Sequence, residues 1–248
     1  PVTTSSLGWT STNATDTTFT IGTTTYAVAT HFGFDGHIVV SRVNADGSMT
    51  TTDHVFYNNA NGAITQTSNP GLATEIANND DNFQAASLGN GLTSPRIFHV
   101  NGQTLLFTTS QNVGGVAVWQ VRADGTLDYT GGETWGTNSN YLRPAGIVQT
   151  DDGTINMYVV RPAGTTPMID VLRYNPTTGD IENTTNLDFN NTTGLPSAAT
   201  GVIAEVGGNT FLLTGSDTSM SVFAINDTTG ALTYQSTTPV GLPTTNVF

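Results

Sequence analysis

Four stretches of the chain carry the same alternation of apolar and polar positions. They read His37-Ile38-Val39-Val40-Ser41-Arg42-Val43, Gly115-Val116-Ala117-Val118-Trp119-Gln120-Val121, Met168-Ile169-Asp170-Val171-Leu172-Arg173-Tyr174 and Ser219-Met220-Ser221-Val222-Phe223-Ala224-Ile225. They align without gaps, so Val40, Val118, Val171 and Val222 share one slot. A period of two places successive side chains on opposite faces of an extended strand. Each stretch runs into a tight turn that carries glycine near its end: Asn44-Ala45-Asp46-Gly47, Arg122-Ala123-Asp124-Gly125, Asn175-Pro176-Thr177-Thr178-Gly179 and Asn226-Asp227-Thr228-Thr229-Gly230. Glycine there takes a positive φ without a Cβ clash. A more polar strand follows each turn, starting at Met49, Leu127, Ile181 and Leu232.

Upstream of each stretch lie two further strand patterns. The second strands run over 25–31, 104–110, 155–161 and 210–216, and the first over 19–21, 96–100, 146–149 and 202–206. Four antiparallel strands that recur about every 50 residues predict β-propeller blades. The expected fold is all-β, a β-propeller or propeller segment with about four four-stranded antiparallel blades. The blades fall at 17–58, 94–136, 143–189 and 198–240 of a single domain spanning 1–248. Val118, Val171 and Val222 are then expected to be buried between sheets. The step from Gly47 to Gly125 is longer than the later ones. Its excess, 59–91, reads as an inserted loop that lacks strand structure. Short Pro-containing linkers precede blade entries at Pro95, Pro144 and Pro196, and one recurs at Pro243. Residues 244–248 therefore read as the start of a further strand.

Composition narrows the setting. The 248 residues carry 19 acidic and 6 basic side chains, a net charge of -13, with no cysteine. All the basic residues are arginines. The balance excludes a basic face for nucleic-acid phosphates and for anionic membranes. Missing cysteine excludes a disulfide framework and thiolate zinc sites. No apolar run approaches the roughly 18 residues of a membrane span. An acidic, lysine-free chain of this kind is expected to be secreted or at a cell surface, in a bacterial, marine or saline setting. It opens at Pro1 without methionine, as a processed or excised product does.

Candidate chemistry is sparse. His31 and His37 flank Asp35 in the loop between the second and third strands of the first blade. Two imidazoles and a carboxylate suit zinc, or a base and its orienter; the alternative is polar strand ends facing solvent. His54 and His99 stand alone in sequence and read as structural histidines. Asn78-Asn79-Asp80-Asp81-Asn82 gathers hard oxygens, so Asp80, Asp81 and Asn82 are the expected calcium ligands, without an EF-hand pattern. Asp151-Asp152-Gly153 reads as a strand-connecting turn. Arg96, Arg143 and Arg161 read as structural bonds to neighbouring carbonyls in preference to anion ligands. Trp119 sits on an alternating strand and reads as core. No Gly-x-Ser-x-Gly nucleophile elbow occurs.

The run Val100-Asn101-Gly102-Gln103-Thr104-Leu105-Leu106-Phe107, followed by Val116 to Val121 and Ala123-Asp124-Gly125-Thr126-Leu127, resembles lactonase-like or YVTN-type β-propeller repeats. The turns at Asn175 and Asn226 look like the same repeat. Such repeats occur in large exported bacterial proteins, including haemolysin-type calcium-binding ones, although the nonapeptide array of those proteins is absent here. The resemblance implies a propeller, with no catalytic residue carried over. The reading drawn from all this is an exported, non-catalytic structural or interaction domain. It would serve a surface layer, adhesin or extracellular assembly, with other protein chains as partners through self-assembly or a surface contact. The alternative is a lactonase-like hydrolase acting at the propeller's central channel.

Overall fold

A computed structural model describes residues 14–31, 35–78, 88, 92–110, 114–134, 143–161, 168–175, 178, 180–188, 200–215 and 219–239. The chain divides into two compact units, Pro1–Ser139 and Asn140–Phe248. The first unit holds β1 (Ala14–Ile21), β2 (Thr24–His31), β3 (Gly36–Val43), β4 (Met49–Asn58), β5 (Ala63–Gln66) and α1 (Leu72–Asn78), then β6 (Leu92–Val100), β7 (Gln103–Ser110), β8 (Gly115–Val121) and β9 (Leu127–Thr134). The second holds β10 (Arg143–Gln149), β11 (Ile155–Arg161), β12 (Met168–Tyr174), β13 (Ile181–Asp188), β14 (Thr200–Val206), β15 (Asn209–Gly215), β16 (Ser219–Ile225) and β17 (Leu232–Pro239). Each sheet is an antiparallel meander in chain order: β1 to β5, β6 to β9, β10 to β13 and β14 to β17. We call them the first to fourth sheets.

The repeat is written into the backbone. In every sheet the ladder between third and fourth strands shifts register just after the aligned valine: after Val40, Val118, Val171 and Val222. Such a bulge inserts one residue and sharpens the local twist. In the first two sheets a threonine fills it and ties it down. Thr52 Oγ1 donates to Val40 O at 3.1 Å and to Gly125 O at 2.9 Å; Thr130 Oγ1 donates to Val118 O at 3.0 Å. Pro95 and Pro144 fall inside β6 and β10, at register shifts, and not in linkers ahead of the strands. Proline has no N–H to give a ladder, and a bulge is where a strand tolerates it.

Within each unit one sheet stacks on the next. Tyr26, Val28, Ile38, Val40 and Val55 of the first sheet share a core with Leu106, Trp119 and Tyr129 of the second. Tyr158, Val160, Ile169 and Val171 of the third meet Leu212, Phe223 and Ile225 of the fourth. A tyrosine latches each pair: Tyr26 Oη donates to Ala123 O at 2.8 Å, and Tyr158 Oη to Gly230 O at 2.7 Å. Both acceptors lie in the turn after the partner sheet's third strand. Gly125 in one such turn has φ +84°, and a Cβ there would stand 2.4 Å from the Tyr26 ring. Gly146 serves close approach, since its Cβ would meet Ile203 at 2.4 Å.

Two expectations need correction. Residues 59–91 do not form a strandless projecting loop. Ala63–Gln66 adds a fifth strand to the first sheet, and α1 buries Leu72 and Ile76, four residues apart on one helix face, in the core with Leu88. Asn69 Oδ1 accepts the Gly71 N–H at the entry to α1. Gln66 brings the buried Asp53 into this segment. The carboxylate accepts from Gln66 Nε2 at 2.6 Å, Ser68 Oγ at 2.7 Å, and the N–H groups of His54, Ser68 and Leu127 at 2.9–3.1 Å. Val118 and Val171 are buried, but Val222 is only partly so. On the same face of the fourth sheet Val202 and Val206 are 54% and 64% exposed. The segment 244–248, read as a further strand, lies outside the described residues.

Candidate functional site: a histidine cluster on the first sheet

His31 ends β2, and His37 lies opposite it on β3. On β4 Phe56 lies opposite His37, and His54 lies opposite Val39. Period-two geometry therefore places His31, His37, His54 and Phe56 on one face, near the end where β2 passes to β3. His31 stands edge-on to His37, with ring centroids 5.6 Å apart and planes at 79°. The Phe56 ring lies 4.8 Å from that of His37. Asp35 anchors the chain ahead of β3 by accepting the Asn59 N–H at 2.9 Å.

The His37 and His54 rings are coplanar within 11°, with centroids 5.2 Å apart and His37 Nδ1 3.0 Å from His54 Nε2. A ring nitrogen lies about 1.2 Å from its own centroid, so a straight N–H···N bond of this length sets coplanar centroids about 5.4 Å apart. The rings therefore meet edge to edge along a hydrogen bond and are not stacked face to face. One nitrogen carries the hydrogen and the other accepts it. Burial pushes the His37 pKa down to about 4; the neighbouring His54 and His31 charges add to the shift, and Asp35 opposes it. Burial also lowers His54, against the pull of Asp53. At neutral pH the pair is uncharged and shares one proton.

This arrangement bears on two expectations. His54 is not an isolated structural histidine. Zinc held by His31 and His37 gains no support either: among the described residues no group of three or more His, Asp or Glu side chains has metal-holding geometry. His99 Nδ1 lies 3.0 Å from Thr104 Oγ1. Asp152 closes a turn: it accepts from Thr150 Oγ1 at 2.7 Å and from the Thr154 N–H at 2.9 Å. Arg161 pairs with the buried Asp170, Nη2 donating to Oδ1 at 2.9 Å. Trp119 is fully buried, and its Nε1 donates to Thr108 Oγ1 at 3.2 Å. Asp80, Asp81 and Asn82 lie outside the described residues.

No family model matches the chain, and no curated protein matches it by sequence. Solved structures do match in fold. A protein from Lactobacillus plantarum is 16% identical with a TM-score of 0.51, over 86% of this chain and 53% of that one. The periplasmic gluconolactonase of Pseudomonas aeruginosa is 14% identical with a TM-score of 0.44, over 87% and 68%. A family-43 glycoside hydrolase from Xanthomonas citri, complexed with xylose, is 14% identical with a TM-score of 0.45, over 90% and 73%. The chain thus spans about half the length of the first of these. The likeness establishes an all-β, propeller-like fold. Contrary to the expectation of a non-catalytic structural domain, the structural neighbours are mostly enzymes. Among the described residues no helix is long and apolar enough to cross a membrane.

Proposed function

We infer that this chain is a hydrolase-type enzyme of lactonase-like repeat architecture, which opens a lactone or neutral ester with water activated at His37 and His54. The observation that carries this reading is the uncharged, edge-to-edge imidazole pair, half-buried near strand ends. A base must be deprotonated at working pH to accept a proton from water, and burial keeps both imidazoles so. Glycosidic cleavage commonly needs two carboxylates flanking the bond. Here the carboxylate acting on His37 is Asp35, while Asp53 is buried in the hydrogen-bond network on the opposite face of its strand. An acyl carbonyl therefore suits the site better than a glycoside. The setting that goes with this reading is outside the cytoplasm, at a cell surface or secreted.

The test is lactone opening by the full chain, followed by acid release from δ-valerolactone and glucono-δ-lactone at pH 7.5. Turnover above the buffer rate is expected, with His37→Gln lowering it about 10²- to 10³-fold. A wild-type rate no faster than buffer for either lactone would sink the reading. Calcium at Asp80, Asp81 and Asn82 belongs to the same proposal as a structural ion. Millimolar calcium should raise the melting temperature of the wild type and not that of Asp80→Asn/Asp81→Asn; equal curves would remove calcium from the account.

A further inference from the structure

We propose that His37 and His54 form a two-ended tautomeric proton relay, so that a proton accepted at His37 Nε2 is matched by one released from His54 Nδ1. The proposal rests on the hydrolase reading for its reaction and on ring geometry for its mechanism. The hydrogen bond joins His37 Nδ1 to His54 Nε2 at 3.0 Å in nearly coplanar rings. Each imidazole carries one hydrogen when neutral. Two neutral arrangements therefore exist. In one, both rings are protonated at Nδ1 and His37 donates across the bond. In the other, both are protonated at Nε2 and His54 donates. Moving one proton in at His37 Nε2, one across the bond and one out at His54 Nδ1 converts the first arrangement into the second.

The steps balance. The water oxygen bonds to the carbonyl carbon as its proton passes to His37 Nε2. The hydrogen on His37 Nδ1 moves to His54 Nε2, and the hydrogen on His54 Nδ1 leaves through solvent. The acyl C–O bond breaks, and the departing alkoxide takes a proton from solvent, giving the hydroxy acid. The reverse shift resets the pair. No ring becomes a cation at any stage. That matters here because the site penalises an imidazolium: it is half-buried, with His31 facing the pair from β2. Among the described residues, the titratable groups that act on the pair are His31 on β2, Asp35 ahead of β3 and Asp53 beside His54 on β4. A lone imidazole in the same place would have to carry charge. His54 thus has a positioning and relay role that its distance in sequence from His31 and His37 conceals.

Imidazole nitrogen spectra of the full chain, labelled with nitrogen-15 at histidine, test this directly. The chain has four histidines, and His99→Gln and His31→Gln complete the assignment. In the wild type, the His37 and His54 nitrogens are expected to resonate between the values of the two pure tautomers and to shift together with temperature. In His54→Gln, whose amide keeps a hydrogen bond but cannot relay, His37 should collapse to one tautomer. kcat on δ-valerolactone should fall about 10²-fold with KM unchanged. A wild-type His37 already locked in a single tautomer, with the same shifts as in His54→Gln, would overturn the relay. If the variant misfolds, the wild-type spectrum alone decides. If tautomer averaging is seen without lactone turnover, the relay stands and the hydrolase reading fails.

Discussion

His37 shows how one side chain couples site to stability. Its folded pKa, about 4, lies below the 6.5 of an unfolded histidine because burial and two neighbouring imidazoles oppose its charge. Above pH 6.5 both states are neutral, and the residue adds no pH dependence. Between 6.5 and 4 the unfolded chain binds a proton that the folded site refuses, so stability falls as pH falls through that window. The ring is half-exposed, so solvent screening reduces the loss to roughly 1–2 kcal/mol. All three tryptophans, Trp9, Trp119 and Trp135, lie in the first unit, so tryptophan fluorescence follows that unit alone. Urea midpoints at pH 7 and pH 4.5 should drop further for the wild type than for His37→Gln. An equal drop in both would assign the acid sensitivity to other groups. Asp53, by contrast, serves the framework: five donors surround its fully buried carboxylate and tie β4 to β5 and β9.

At the scale of the element, the strands of the repeat and their order were legible in the sequence, and the register past the bulge was not. Alternation and glycine turns placed all four third strands, because a half-buried strand must alternate and a tight turn needs positive φ. The histidine cluster was hidden by the bulge. Counting back from the Asn44 turn pairs Ser41 with Thr51, and unbroken pairing would then set His54 opposite Ile38, on the wrong face for His37. The register shift at Thr52 moves the pairing by one residue and sends every later side chain of β4 to the other face. Asp53 thereby turns into the core, and His54 joins His37. The inserted segment was missed for a different reason. Ala63–Gln66 is too short to show a period, and α1 announces itself only by Leu72 and Ile76. Gln66 and Ser68 reveal their purpose only once Asp53 is seen between them.

Across the molecule, the same face of a sheet is used repeatedly to build a core. The face of the first sheet that carries Val40 packs on the second sheet, and the face of the third that carries Val171 packs on the fourth. The corresponding face of the fourth sheet carries Val202, Val206, Met220 and the partly buried Val222, with the first three at least 40% exposed. Contiguous exposed apolar surface of this kind favours association in water, because covering it releases unfavourable hydration. A net charge of -13 opposes the approach of two copies, so added salt should favour contact by screening that repulsion. The expected outcome is a mass that rises with protein concentration, more steeply at 0.5 M than at 0.05 M sodium chloride, in light scattering behind a sizing column. Val206→Lys with Val202→Thr should hold the chain at its monomer mass of 26.0 kDa under both conditions. Both side chains are more than half exposed, so the variant should melt within about 1 °C of the wild type, in keeping with the small cost of surface substitutions. A wild type that stays monomeric at every concentration and salt would show that this apolar face is tolerated bare, and self-association would be withdrawn as the chain's mode of partnership.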